Sequence, residues 1–135
     1  MIMDCPVCRE AMITLELDDV EIDYCIGCGG IWLDTGELEM LIGDAQKAKA
    51  LLESFTTGLT IREKPRRCPI CGKKMEKVVA GTGESDLFID RCRRNDGIWF
   101  DRGELDDILT RAELDEEHKI KKLLADIFTK QGEPA

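Results

Sequence analysis

The chain has 135 residues, with 28 acidic and 19 basic side chains and a formal net charge of -9. That balance argues against a dedicated nucleic-acid binder, which needs a net basic surface to meet phosphates. Seven aromatic residues argue against a large core, and 43% hydrophobic content in periodic runs argues against disorder, which leaves the seven cysteines to hold small modules together.

The N-terminus, Met-Ile-Met-Asp, has no basic segment and no apolar stretch of the kind that directs secretion. No apolar run approaches the roughly 18 residues of a spanning helix. The expectation is a cytoplasmic chain, where disulfides are disfavoured and spaced cysteines point to metal or redox chemistry.

The first motif is Cys5-Pro-Val-Cys8. Met12 to Leu17 then alternates with Ile13, Leu15 and Leu17 on one face, Asp18-Asp19 signals a turn, and Val20, Ile22 and Tyr24 alternate into Cys25. The pattern predicts a β-hairpin. After Cys25-Ile-Gly-Cys28 the segment Gly30-Ile-Trp predicts a short third strand. Asp34 and Glu37 have the spacing of a capping box, and Leu38, Leu41, Ile42, Ala45, Leu52 and Phe55 follow as one helical stripe. Gly36 reads as a site of close packing.

The order then repeats. Cys68-Pro-Ile-Cys71 matches Cys5-Pro-Val-Cys8, and Cys92-Arg-Arg-Asn95-Asp-Gly-Ile-Trp-Phe-Asp-Arg-Gly-Glu-Leu105 matches Cys25 to Leu38. Met75 to Ala80 and Asp86 to Arg91 predict the second hairpin, joined through Gly81 to Ser85. Asp101 and Glu104 repeat the capping spacing. Leu105, Ile108, Leu109 and Ala112 begin a helix that is either very long or broken near Leu114, since Ile120, Leu123, Leu124, Ile127 and Phe128 resume the stripe. A stripe reaching so far needs a partner, either the first module or another chain, so a dimer through the C-terminal helix is one expectation. The fold class is small α+β: two zinc-ribbon modules, each a β-hairpin with cysteine knuckles followed by an α-helix. The boundaries are 1–58, a linker at 59–64, and 65–130, with a frayed tail from Gln131 to Ala135.

Each knuckle aims two sulfurs at one point, and the hairpin brings the second pair opposite the first. Cys5, Cys8, Cys25 and Cys28 therefore read as a closed tetrahedral zinc site, with Gly29, Gly30 and Gly72 suiting the turns around the sulfurs. Such a site contributes on the order of 10 kcal/mol to a small domain. Iron in similar knuckles satisfies the same spacing. A redox reading of Cys-Pro-x-Cys fares poorly, because that chemistry needs one exposed pair. In the second copy Cys68, Cys71 and Cys92 lack a fourth cysteine, because Asn95 takes its place. Asp96 completes the shell, or His118 reaches it from its helix, or the site is degenerate, or water fills an open position. Only the last would suit an enzyme, and the sequence offers no catalytic constellation beyond carboxylates at helix caps.

The long pattern Cys-Pro-x-Cys, hairpin, Cys-x-x-Cys-Gly-Gly-Ile-Trp-Leu-Asp-x-Gly-Glu-Leu resembles the bacterial zinc-finger domains named after the zinc ribbon of transcription factor IIB. Residues 5–42 match it almost throughout, and residues 68–109 match except at Asn95 and Asp96. The resemblance implies zinc ribbons in tandem. It makes the four cysteines of the first copy ligands and carries over only Cys68, Cys71 and Cys92 in the second. The family name implies nucleic-acid binding or transcription.

Charge divides unevenly along the chain. Residues 1–61 hold 3 basic and 12 acidic side chains, a balance of -9; residues 62–101 hold 10 and 7, a balance of +3; the remainder holds 6 and 9, a balance of -3. Arg66, Arg67, Lys73, Lys74, Arg91, Arg93 and Arg94 surround the second site and are the candidate nucleic-acid contacts. The primary expectation is a zinc-binding recognition protein, regulatory or adaptor in kind, acting through a protein partner. Nucleic-acid binding through the basic second ribbon is the alternative. Trp32 and Trp99 read as packing beneath the knuckles rather than as stacking platforms, since one of them sits in an acidic module.

Overall fold

The computed structural model describes residues 3–57, 66–80, 87–115 and 117–130. The expected linker at 59–64, the Gly81 to Ser85 connection and the tail from Gln131 lie outside the described residues.

The first hairpin pairs β1 (Ile13–Leu17) with β2 (Val20–Tyr24). Asp18 and Asp19 join them with φ of 51° and 66°, the left-handed pair that a two-residue hairpin turn requires. β3 (Ile31–Asp34) pairs with β2. The second copy repeats this with β5 (Glu76–Ala80), β6 (Leu87–Arg91) and β7 (Gly97–Phe100). The two-residue strand β4 (Phe55–Thr56), at the end of the first half, pairs with β5.

The halves join through β3 and β7, which run antiparallel with Trp32 opposite Trp99. Ile31 faces Phe100 and Leu33 faces Ile98, so equivalent strands meet about a local two-fold axis, as in an isologous dimer interface. One seven-stranded sheet results, in the order β1-β2-β3-β7-β6-β5-β4. Strand alternation sends Ile31, Leu33, Ile98 and Phe100 to the face covered by helices. It sends Trp32 and Trp99 to the opposite face, among Cys5, Met12, Cys25, Cys68, Met75 and Cys92. Both indoles are fully buried.

The single helical stripe expected after β3 is two helices, α1 (Glu37–Ile42) and α2 (Ala45–Glu53). Gly43, at φ 75°, ends the first, and the Asp44 carboxylate accepts the N–H groups of Gln46 at 3.0 Å and Lys47 at 3.1 Å to start the second. Phe55 lies on β4 instead of on a helix. The second stripe also breaks, into α3 (Glu104–Arg111) and α4 (Lys119–Lys130). Buried Asp115 accepts from the N–H groups of Ile120 at 3.0 Å and Lys121 at 3.1 Å.

α4 packs back on the first half. Phe128 lies 6.1 Å from the Tyr24 ring, and Lys119 pairs with Asp18 at 2.6 Å. Ile120 and Leu124 of its stripe are buried in the common core, and Leu123, Ile127 and Phe128 pack against that core partly buried. Among the described residues no helix is long and apolar enough to cross a membrane.

Candidate metal centres

The first cluster is built by the turn at Cys5 to Arg9 and the turn at Cys25 to Gly29. In the first, the N–H groups of Val7 and Cys8 donate to the Cys5 sulfur at 3.3 and 3.2 Å. Arg9 at φ 63° and its counterpart Gly72 at φ 76° close the first knuckles of the two copies. The ligand atoms of Cys5, Cys8, Cys25 and Cys28 lie within 4.8 Å of one another, and Cys5 and Cys28 place their sulfurs 3.7 Å apart. A tetrahedron with ~2.3 Å Zn–S bonds separates its sulfurs by about 3.8 Å, so the donor set fits zinc. Burial and the neighbouring thiols push the Cys28 thiol strongly up. Four such groups ionise together only around a cation.

The second cluster brings together Cys68, Cys71, Cys92 and Asp96, again with ligand atoms within 4.8 Å. The sulfurs of Cys71 and Cys92 are 3.7 Å apart. Asp96 Oδ2 is 3.6 Å from the Cys68 sulfur and 3.4 Å from that of Cys92. With Zn–O near 2.0 Å the tetrahedral S···O separation is about 3.5 Å. Burial first, and then the neighbouring thiols, push the Cys68 thiol up to about 12.

Asp96 arrives through a one-residue change in the turn. In the first copy Gly29, at φ 76°, donates its N–H to the Cys25 carbonyl at 2.8 Å. In the second copy Asn95 itself adopts φ 64° and donates to the Cys92 carbonyl at 3.0 Å. The turn closes one residue earlier, and the next side chain swings into the fourth position. Asn is among the few side chains that tolerate this conformation, so the residue that removes the fourth sulfur also permits its replacement. His118, the other candidate, is exposed before α4, where it begins the turn into that helix, and is not part of the cluster.

The tryptophans link the two centres. A Cβ at Gly30 would lie 2.1 Å from the Trp99 ring, and one at Gly97 would lie 2.6 Å from the Trp32 ring. Each indole therefore rests on the other half's glycine. Thr35 donates its N–H to the Asp96 carbonyl at 3.0 Å and its hydroxyl to the Asn95 carbonyl, so the first half also steadies the turn that carries the second site's oxygen ligand.

The expected capping boxes form only in part. Glu37 and Glu104 reach back to accept the N–H groups of Asp34 and Asp101, both at 2.7 Å. The aspartates do not cap; they accept the indole N–H groups of Trp32 at 2.7 Å and Trp99 at 3.1 Å. The helix starts are Gly36 and Gly103, at φ 98° and 86°, with open space where a Cβ would stand. These glycines serve backbone conformation and not close packing. Burial, and then neighbouring acidic groups, push Glu37 and Glu104 up to about 7 despite those N–H bonds.

Of the seven candidate phosphate contacts, Arg66 pairs with Asp90 at 3.3 Å and Asp101 at 2.5 Å, and Arg91 pairs with Glu76 at 3.4 Å. Arg67, Lys73, Lys74, Arg93 and Arg94 are exposed on the knuckles of the second cluster. In the first copy the knuckles expose Val7 and Ile26, beside Asp4, Arg9 and Glu10.

A family model described as "Transcription factor zinc-finger" matches residues 4–44 and 67–111, and the chain belongs to that family. No curated protein and no solved structure matches it.

Proposed function

We propose that this tandem member of the transcription factor zinc-finger family is a recognition protein of the cytoplasm, an adaptor or regulator that binds a protein partner and performs no catalysis. One observation carries the reading. Rigid four-donor centres stand at the surface with apolar tips held out to solvent: Val7 is 42% exposed, Ile26 49% and Ile70 43%. A zinc ion with four protein donors has no position left for a substrate. Apolar side chains on a metal-stapled turn lose little entropy on binding, which favours recognition. The test is capture of partners from a cell extract by the zinc-loaded chain. The Val7→Asp, Ile26→Asp variant should release the proteins retained, as should zinc removal. Retention unchanged by both would overturn the reading.

The five exposed cations around the second cluster favour a second reading, contact with nucleic acid. Titration with single- and double-stranded DNA and RNA at low salt decides it. Binding that weakens steeply with salt, and is lost when Lys73, Lys74, Arg93 and Arg94 become Gln, supports it. Salt-insensitive or absent binding removes it.

A further inference from the structure

The two halves carry the same carboxylates on the tryptophan face of the sheet, and among the described residues only those of the second half meet basic side chains. There Asp90, 1% exposed, lies beside Asp101 and Glu104. Arg66 bridges Asp90 and Asp101, and Lys77 meets Asp90 at 3.1 Å. The repeat places Asp23, Asp34 and Glu37 at the equivalent positions of the first half, with Glu21 added. The positions of Arg66 and Lys77 are taken by Met3 and Thr14. Thr14 only donates its hydroxyl to Asp23 at 3.3 Å. Among the described residues no basic side chain pairs with Asp23, Asp34 or Glu37. A cavity of 250 Å³ opens between these groups, and Ile70 from the second half forms part of its wall.

We propose that this cavity receives the guanidinium of an arginine presented by a partner protein. Three features select that ligand. The twin site holds a guanidinium on the equivalent carboxylates within this same chain, so the geometry for bridging two aspartates is already built. Asp23 and Asp34 stand as Asp90 and Asp101 do, and a planar fork bridges two acceptors where a point charge meets one. Met3 and Ile70 supply apolar walls for the alkyl stem of a long side chain, which a bare metal ion would not use. The proposal rests on the protein-recognition reading above and names the chemistry of the partner.

Trp32 supplies the reporter, because its indole N–H donates to Asp34. Trp99 donates to Asp101 in the filled twin and is the internal control. Zinc-loaded, ¹⁵N-labelled full-length chain is titrated with acetyl-Gly-Arg-Gly-amide. The Trp32 indole resonance should shift saturably in the millimolar range, and the Trp99 resonance should stay. The same peptide with norleucine replacing arginine should move neither. The Met3→Arg, Thr14→Lys variant, which copies the twin, should lose the saturable shift. Asp23→Asn, a milder change, should weaken binding several-fold. Equal movement of both indoles, movement with norleucine, or undiminished binding by both variants overturns the proposal. So does a Trp32 shift produced instead by magnesium or calcium, or by raising the protein concentration alone, which would mark a metal site or self-association. Zinc-dependent partner capture with a silent peptide titration would refute the arginine pocket and leave the recognition reading standing. A saturable Trp32 shift with failed capture would do the reverse.

Discussion

The two halves share a backbone and differ in how each neutralises its own charge. In the second half one cysteine has become Asn95 and Asp96 supplies an oxygen donor, while Arg66 and Lys77 neutralise the neighbouring carboxylates. In the first half all four sulfurs remain, and among the described residues no basic side chain pairs with the carboxylates. A duplicated fold thus separates two properties that a single copy would have to combine. One half has an all-sulfur centre and an open acidic cavity; the other has a mixed centre and an occupied one. Substitutions at equivalent positions should therefore give unequal, and in one case opposite, results.

The largest contrast is at the metals. Native mass spectrometry should find two zinc ions per chain. Cys25→Ser should abolish the first centre and unfold that half, at a cost on the order of 10 kcal/mol. Asp96→Ala removes an oxygen donor that holds zinc less strongly than a thiolate does, so zinc content should fall toward one while the far-ultraviolet circular dichroism persists. A chelator titration of the unaltered chain should empty the second centre first; simultaneous release would erase the contrast.

The seam comes next. Gly30→Ala drives a methyl group into the Trp99 indole, and Gly97→Ala drives one into the Leu33 carbonyl and the Trp32 indole; overpacking of this kind costs about 1–3 kcal/mol. Both should lower the urea midpoint at saturating zinc and alter the fluorescence of the two tryptophans together. Gly36→Ala, whose Cβ meets nothing, should cost less, through its left-handed backbone alone. Equal effects at Gly30 and Gly36 would show that the seam is not packed as described.

The reversal of sign concerns the carboxylates. Arg66→Met takes one partner from buried Asp90 and should destabilise by about 1–3 kcal/mol, with Lys77 limiting the loss. Met3→Arg is the reciprocal exchange and should stabilise the first half. Urea midpoints of the two variants should move in opposite directions.

The last effect depends on pH. Glu37 is held up to about 7, above its ordinary 4.5. A carboxyl raised in the folded state contributes stability that is fully present below about 4.5 and lost as pH rises through 7. Glu37→Gln keeps an acceptor for the Asp34 N–H and removes the charge. Its stability relative to the unaltered chain should therefore rise between those values and level off above them. Glu104→Gln should behave alike, since burial raises that group to the same value.

Much of this was legible in the residues. The repeat, the hairpins with the Asp18-Asp19 turn, and the first four-cysteine cluster are local patterns, set by alternation and by spacings of three residues. Asp96 was one of several candidates for the fourth ligand. Its selection depended on Asn95 taking a left-handed conformation, which spacing alone does not reveal. The break in the second stripe near Leu114 was one of two readings, whereas in the first a continuous apolar stripe concealed the cap at Asp44. An apolar stripe records which face is buried and is blind to a break that preserves the face. Asp34 and Asp101 were read as caps because the Glu three residues later fits that role. The competing indole N–H sits two residues earlier, on the same side of the strand, and wins the carboxylate.

The sequence by itself determined the two modules, the four-cysteine ligand set of the first and their unequal charge, because ligand spacing and composition are properties of short segments. Only the tertiary structure decided that β3 and β7 pair, that each tryptophan rests on the other half's glycine, and that α4 covers the first half. Those contacts join residues more than 60 positions apart. The buried run Ile31-Trp32-Leu33 signals a strand covered on both faces, but the identity of its neighbour follows from the two-fold fit of one copy against the other. The same fit exposes the open cavity, since the lack of a paired cation among its described residues is visible only when the occupied twin is set beside it.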